Sequence, residues 1–213
     1  MRVGLQKTSL VDYPGHVAAT LFTDGCPLRC PFCHNPQLVT GPEPEDFVDE
    51  LAIYAFLEKR RTVLDGVCIT GGEPLLIPDL PRLIQRIRRL GLKVKLDTSG
   101  AFPQRLKGLL EAGFVDYVAL DIKTTPDRYP LLNGNSNKLI ESVEHLREGS
   151  VPYELRATAV PRFVDKAYME WMAEFLRRGE RFYLQQFRPA TTLGPSFARE
   201  RPYAPEELRE LTA

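Results

Sequence analysis

The sequence has no excess of either charge: 28 basic residues are matched by 28 acidic ones. Bulk electrostatics therefore gives no reason to expect a nucleic acid or an anionic membrane as a partner. No apolar run approaches the roughly 20 residues that cross a bilayer. The opening Met1-Arg2-Val3-Gly4-Leu5-Gln6-Lys7 lacks the apolar core of a signal peptide, so the expectation is a cytoplasmic chain. Internal repeats, low-complexity tracts and linkers are missing too, which makes 213 residues one domain, long enough to bury a substantial core. Cysteine is scarce, with four in the chain. In a reducing cytosol such cysteines do not pair as disulfides and stay free for metal.

Three of those four fall in one stretch, Thr23-Asp24-Gly25-Cys26-Pro27-Leu28-Arg29-Cys30-Pro31-Phe32-Cys33-His34-Asn35-Pro36, directly after an apolar run at 17–22. The spacing is Cys-x3-Cys-x2-Cys. Thiolates this close in a Pro- and Gly-punctuated loop can converge on one soft metal centre, and iron–sulfur clusters are held by such ligands. A [4Fe–4S] cluster normally takes four cysteines, so three leave one iron open to a small molecule. Two other readings stay open. Zinc would need His34 as fourth ligand, strained by its adjacency to Cys33, and structural zinc loops usually begin with Cys-x2-Cys. Inert thiols are the third reading. The fourth cysteine, Cys68, sits within Val67-Cys68-Ile69 and reads as a small buried strand residue.

The rest of the chain alternates short β-rich runs with helical patterns, which argues for βα units and a parallel sheet. Strands are expected at 17–22, 66–70, 92–97, 115–122, 153–160 and 181–187. The first helix opens at Pro44-Glu45-Asp46 and runs to Arg60, with Phe47, Val48, Leu51 and Tyr54 at helical spacing. The next starts at Pro78, carries Leu80, Leu83, Ile84, Ile87 and Leu90 as one stripe, and ends at Gly91. Further helices are expected around Leu106, Leu109 and Leu110, at 138–148, at 165–178, and near Pro205 to Leu211. Six βα units suit an open doubly wound sheet or an incomplete barrel. In both, ligands collect at the carboxyl ends of the strands.

Polar residues gather at those ends. Gly71-Gly72-Glu73-Pro74 follows the second strand; two glycines let a backbone pass close to a ligand, although a tight turn with a surface acid has the same composition. Asp97-Thr98 and Asp121-x-Lys123 close the third and fourth strands. They read as helix caps or as an acid/base pair. Arg156 lies inside the apolar Leu155-Arg156-Ala157-Thr158-Ala159-Val160, where an unpaired charge is costly. It must face an anion, either a ligand carboxylate that its fork fits or a neighbouring aspartate.

Cys26, Cys30, Phe32 and Cys33, as Cys-x3-Cys-x-aromatic-Cys, resemble the signature of the radical S-adenosylmethionine enzymes. The continuation Cys33-His34-Asn35-Pro36 and the upstream Ser9-Leu10-Val11-Asp12-Tyr13-Pro14-Gly15 are similar to the activases of glycyl-radical enzymes, nearest to the anaerobic ribonucleoside-triphosphate reductase activating type. The resemblance implies an α/β fold, a partial (β/α)6 barrel of parallel strands with outer helices. Residues 1–16 would form an N-terminal extension, 17–189 the barrel and 190–213 a tail. It implies an oxidoreductase in which Cys26, Cys30 and Cys33 are the catalytic ligands of a [4Fe–4S] cluster. That cluster would reductively cleave S-adenosylmethionine to a 5′-deoxyadenosyl radical, which raises a glycyl radical on a partner.

By the same resemblance, Gly71, Gly72 and Glu73 meet the amino group of the cofactor, while Phe32 and His34 lie against it. Asp97, Thr98 and Asp121 hold a monovalent cation, Lys123 faces the cofactor carboxylate or the substrate, and Arg156 binds the methionyl carboxylate. The partners implied are a glycyl-radical enzyme, anaerobic ribonucleotide reductase, and a flavodoxin- or ferredoxin-like donor. No second cysteine cluster lies between Cys33 and Gly71, so a ferredoxin-like insert is not expected. Four positions depart from the activase pattern: Arg162 stands where glycine is frequent, Phe187 where pyruvate formate-lyase activases carry histidine, His16 where arginine or lysine is usual, and Tyr13 in place of glycine. The substrate therefore stays open. Alternatives are a pyruvate formate-lyase-type activase, a radical enzyme acting on a small molecule or nucleotide as deazapurine synthases do, and a non-enzymatic zinc or electron-transfer module.

Overall fold

The computed structural model describes residues 2–41, 47–189 and 191–212. Among the described residues eight strands form one sheet: β1 (Arg2–Ser9), β2 (Ala18–Thr23), β3 (Val48–Asp49), β4 (Gly66–Gly71), β5 (Lys93–Thr98), β6 (Tyr117–Asp121), β7 (Tyr153–Ala159) and β8 (Phe182–Gln186). The order is β3-β1-β2-β4-β5-β6-β7-β8. From β2 to β8 each strand pairs parallel with the next. Every crossover thus steps in one direction and, with right-handed connections, puts its helix on the same side. A doubly wound sheet would reverse its order at a switch point. This sheet does not, so the partial (β/α)6 barrel is the architecture, with β8 as its open edge.

The six expected strands appear within a few residues of their expected bounds. Two strands were not anticipated. Within the expected N-terminal extension, β1 pairs antiparallel with β2, and β3 pairs antiparallel with β1. Among the helices, α1 is Gln37–Thr40, α2 Glu50–Arg60, α3 Leu80–Arg89, α4 Pro103–Glu111, α5 Ser136–Glu148, α6 Lys166–Phe175 and α7 Pro205–Leu211. The expected helix start at Pro44-Glu45-Asp46 lies outside the described residues. In the structure, Asp49 caps α2 by accepting from the Ala52 N–H at 2.7 Å, the usual solution for an orphan first-turn donor. Gly91, with φ +80, follows α3 in the left-handed region that glycine reaches without strain. No helix among the described residues is long and apolar enough to cross a membrane.

The strands are two-faced because side chains alternate across a sheet. Leu21, Ile69, Leu96 and Val118 stand in register and join the core with α3 residues Leu83, Ile84 and Ile87. On the other face the row is Thr20, Cys68, Lys95 and Tyr117. The helix side is therefore apolar and the inner side polar. Cys68 is fully buried on this inner row, as its sequence context suggests.

Leu96 has no exposed surface and packs in the middle of the sheet, so Leu96→Ala should cost about 3 kcal/mol through lost transfer energy and a residual cavity. Lys107→Ala removes only an exposed contact to Glu111 at 3.9 Å and should stay within about 0.5 kcal/mol of the parent. Urea unfolding of the two variants measures both. Equal costs would show that the apolar face is not the stabilising one.

Candidate functional site

The cysteine loop is built on a backbone clasp. Gly72 N–H donates to Thr23 O at 2.8 Å and Glu73 N–H to Gly25 O at 2.8 Å. A Cβ on Gly72 would fall 2.0 Å from Gly25 O, and one on Gly71, at φ +116, would fall 2.3 Å from Thr23 N. The glycine pair is thus needed to lay the end of β4 flush against the start of the loop. Further on, Arg29 N–H donates to Leu132 O at 2.8 Å, and Cys33 N–H to Cys30 O at 3.0 Å, closing a turn between two thiols.

Above this clasp is a cavity of about 220 Å³. Cys26, Cys30 and Cys33 line it together with Phe32, His34, Gly71, Gly72, Asp97, Thr98, Asp121 and Lys123. Elements distant in sequence are brought to one place, at the carboxyl ends of the strands. Sequence reasoning missed Ser99, Asn35, Thr158 and Gln185, which line the same cavity. Asn35 sits inside the quoted cysteine stretch, and Ser99 directly follows Asp97-Thr98. Thr158 is two residues from Arg156 on one strand and pairs in register with Gln185, so period-two alternation could have found them.

Two expected site residues lie elsewhere. The Glu73 carboxylate does not face the cavity but is buried, accepting from Thr98 Oγ1 at 2.8 Å, Ser99 N at 2.8 Å, Leu75 N at 3.1 Å and Ser99 Oγ. With these four donors on it, the carboxylate also acts as a strut between the end of β4 and the end of β5. Burial pushes its carboxyl above the usual range against the pull of those hydrogen bonds. Arg156 likewise lies outside the cavity lining and reaches Asp97 Oδ2 at 3.2 Å and Asp121 Oδ1 at 2.9 Å, the neighbouring-aspartate partners that the sequence also allowed.

These pairs extend into an alternating chain. Lys95, 1% exposed, holds Asp97, Arg156 bridges Asp97 to Asp121, and Lys123 Nζ reaches Asp121 Oδ2 at 3.3 Å. The expected monovalent cation would sit among three positive side chains. The carboxylates assigned to it, with Thr98 already donating to Glu73, are engaged without it. Burial alone would raise the Asp121 carboxyl, but Arg156 and Lys123 outweigh it and bring it down to about 2. Burial likewise works against the Lys123 ammonium, and Asp121 and the Cys30 and Cys26 thiols raise it overall. Lys123 gives one hydrogen bond to Asp121, which leaves two of its three donors for a ligand.

Burial pushes Cys30 up to about 12 and raises Cys26. These thiols become thiolates only beside a strong positive charge, which is what metal coordination supplies. Among the described residues, no three His, Cys, Asp or Glu side chains converge on a single ion. The three thiols line one cavity, an arrangement suited to a cluster whose separate irons each take one sulfur. His34 packs its ring 5.6 Å from that of Phe187; burial, with Lys123 and Arg188, lowers its pKa and keeps it neutral. Phe187 thus fills the place of a hydrogen-bonding histidine with a packing contact.

The radical SAM superfamily matches residues 20–175. A Methanocaldococcus jannaschii protein assigned as a glycyl-radical enzyme activating enzyme is 30% identical over 216 residues, covering 98% of this chain and 88% of its own length. The pyruvate formate-lyase-activating enzyme of Staphylococcus aureus is 32% identical over 175 residues, 76% of this chain and 68% of that protein. Among solved structures, Streptococcus suis SuiB superposes with a TM-score of 0.65 at 15% identity over 90% of this chain. The protein anSMEcpe with bound AdoMet superposes with a TM-score of 0.55 at 14% identity over 76%. The chain spans 44% and 49% of those two solved chains, and the likeness at such identities is one of fold.

The Asp121 shift has a definite sign. A carboxyl near 3.9 in the unfolded chain and about 2 in the folded one contributes stability above pH 4 or so. That contribution disappears as pH falls through about 2. The stability gap between parent and Asp121→Asn should therefore narrow from about pH 5 to about pH 2.5, measured by urea midpoints. A gap that stays constant or widens would show that Asp121 is not held ionised by Arg156 and Lys123.

Proposed function

The chain belongs to the radical SAM superfamily, and on that premise we propose that it is a glycyl-radical-enzyme activating enzyme whose partner is anaerobic ribonucleoside-triphosphate reductase. It is an enzyme of a family that works with a [4Fe–4S] cluster and S-adenosylmethionine. The single observation that carries the residue assignment is that Cys26, Cys30, Cys33, Gly71, Gly72 and Lys123 line one cavity. The chemistry that the cluster and sulfonium together supply is one-electron cleavage to methionine and a 5′-deoxyadenosyl radical, the abstractor of a glycine hydrogen.

The protein's part is placement and exclusion of water. Cys26, Cys30 and Cys33 would hold the cluster, each giving one sulfur, and three ligands would leave a place for the cofactor. The Gly71-Gly72 backbone, with no side chains in the way, offers carbonyls to an ammonium group. Lys123, with its spare donors, takes a carboxylate. Ser99, Thr158 and Asn35 add neutral polar contacts around them, and Phe32 walls one side with its ring. Arg156 and Glu73 act behind this layer, fixing Asp97, Asp121 and the end of β5.

The choice of partner rests on the Cys33-His34-Asn35-Pro36 resemblance and on Phe187, which stands where pyruvate formate-lyase activases have histidine. The Staphylococcus aureus relative favours a second reading, a pyruvate formate-lyase-type activase, and both share the cofactor residues. One domain, a cytoplasmic location and a flavodoxin- or ferredoxin-like donor complete the reading.

Anaerobic reconstitution tests it. Protein loaded with iron and sulfide and reduced with dithionite should convert S-adenosylmethionine to 5′-deoxyadenosine and methionine, and Cys30→Ala should drop this to background. Incubation with anaerobic ribonucleotide reductase should then give a glycyl EPR doublet. A doublet with pyruvate formate-lyase alone would select the second reading. Stoichiometric zinc without acid-labile sulfide after loading would overturn both.

A further inference from the structure

We infer that Arg162 is a positioning residue that straps residues 194–200 onto the cysteine loop, limiting the access of solvent and oxidant to the thiols. The inference rests on the reading that those thiols hold an iron–sulfur cluster. Gly194 N–H donates to Pro31 O at 2.7 Å, and Pro31 lies between Cys30 and Phe32. A Cβ on Gly194 would stand 2.9 Å from Pro31 Cβ, so the strap is seated flush on the loop.

Three residues later, Phe197 is 6% exposed and packs 5.9 Å from the Phe163 ring and 6.3 Å from the Phe32 ring. These rings share one apolar cluster with Cys30, against which Cys26 and Cys33 pack. Arg162 sits just after β7 and touches the strap twice. Its Nε donates to Glu200 Oε2 at 2.7 Å, and its guanidinium lies 4.3 Å over the Phe197 ring. A glycine at this position could make neither contact. Arg162 is absent from the cavity lining, so whatever it does for the cluster passes through Phe197.

The strap is a short segment, and its opening exposes the sulfur-bearing turn without unfolding the barrel; such local openings set the rate of attack on buried groups. The test uses the full chain, loaded with cluster anaerobically, as parent, Arg162→Gly, Arg162→Lys and Phe197→Ala. On exposure to air, the cluster's visible absorbance should fade about fivefold faster in Arg162→Gly and Phe197→Ala, the shift expected on losing a partly exposed ion pair and cation–π contact.

Arg162→Lys keeps a cation for both partners and should return the rate to within about twofold of the parent. The midpoint potential of the cluster should rise in the Gly and Ala variants, because solvent dipoles stabilise the added electron. Unchanged lifetime and potential in Arg162→Gly would overturn the inference. So would faster fading that merely tracks a lower melting temperature of the cluster-free protein. A parent that takes up no cluster at all would instead defeat the functional reading on which this one stands.

Discussion

Gly72 lies against Gly25 with no room for a side chain between them, and the start of the cysteine loop is set by that contact. The loop after β2 has α1 as its one short helix, with little regular structure to hold it. What fixes it is the end of the neighbouring strand, which donates two backbone hydrogen bonds to Thr23 and Gly25. Glu73 then ties the same segment to β5, since the donors at Thr98, Ser99 and Leu75 all converge on its carboxylate. Three strand ends become one rigid rim. A metal-binding loop pre-set in this way loses less entropy on binding than a free one.

A second constraint is the burial of charge on the inner face. Lys95, Asp97, Arg156, Asp121 and Lys123 could not stand there singly, because each would face a desolvation cost larger than the fold's margin. Ordered as alternating signs along β5, β6, β7 and the turn after β6, they satisfy one another. The chain ends at Lys123, which lines the cavity with the thiols and keeps two donors for something else. The same wiring that makes the interior tolerable directs positive charge toward a cavity whose reading requires an anionic group. Glu154 closes the lower end, accepting from Tyr117 at 2.8 Å while standing 3.9 Å from Arg156.

The six parallel strands were legible because the alternation of apolar runs with 3.6-period stripes leaves few other folds, and strand order then follows from short connections. The cysteine spacing and the strand-end motifs located the cavity for the same reason. β1 and β3 were not legible: Lys7, Gln6 and Arg2 dilute the apolar signal of β1, and β3 is two residues long. Glu73 and Arg156 were assigned to the ligand because sequence displays a charge without its partner. The partners of Arg156 in this structure follow from strand register, which places Asp121 directly opposite it. Arg162 was visible only as a departure, since Glu200 is 38 residues away.

The departures from the activase pattern form a consistent set once the sheet is drawn. Tyr13 is 2% exposed and packs with Ala18 and Tyr117 at the amino ends of β2 and β6. Its ring lies 4.3 Å from that of His16, and the would-be Cβ of Gly66 stands 3.0 Å from its Cε1. A large ring in place of glycine thus stoppers the amino end of the half-barrel. His16 tilts against that stopper and meets Lys93 at 3.0 Å. At the opposite end Phe187 backs His34 and Arg162 seats Phe197. Each change replaces a small or hydrogen-bonding residue with one that fills space. On the side of the cavity that β7 and β8 supply, Thr158 and Gln185 stand in register and both line it.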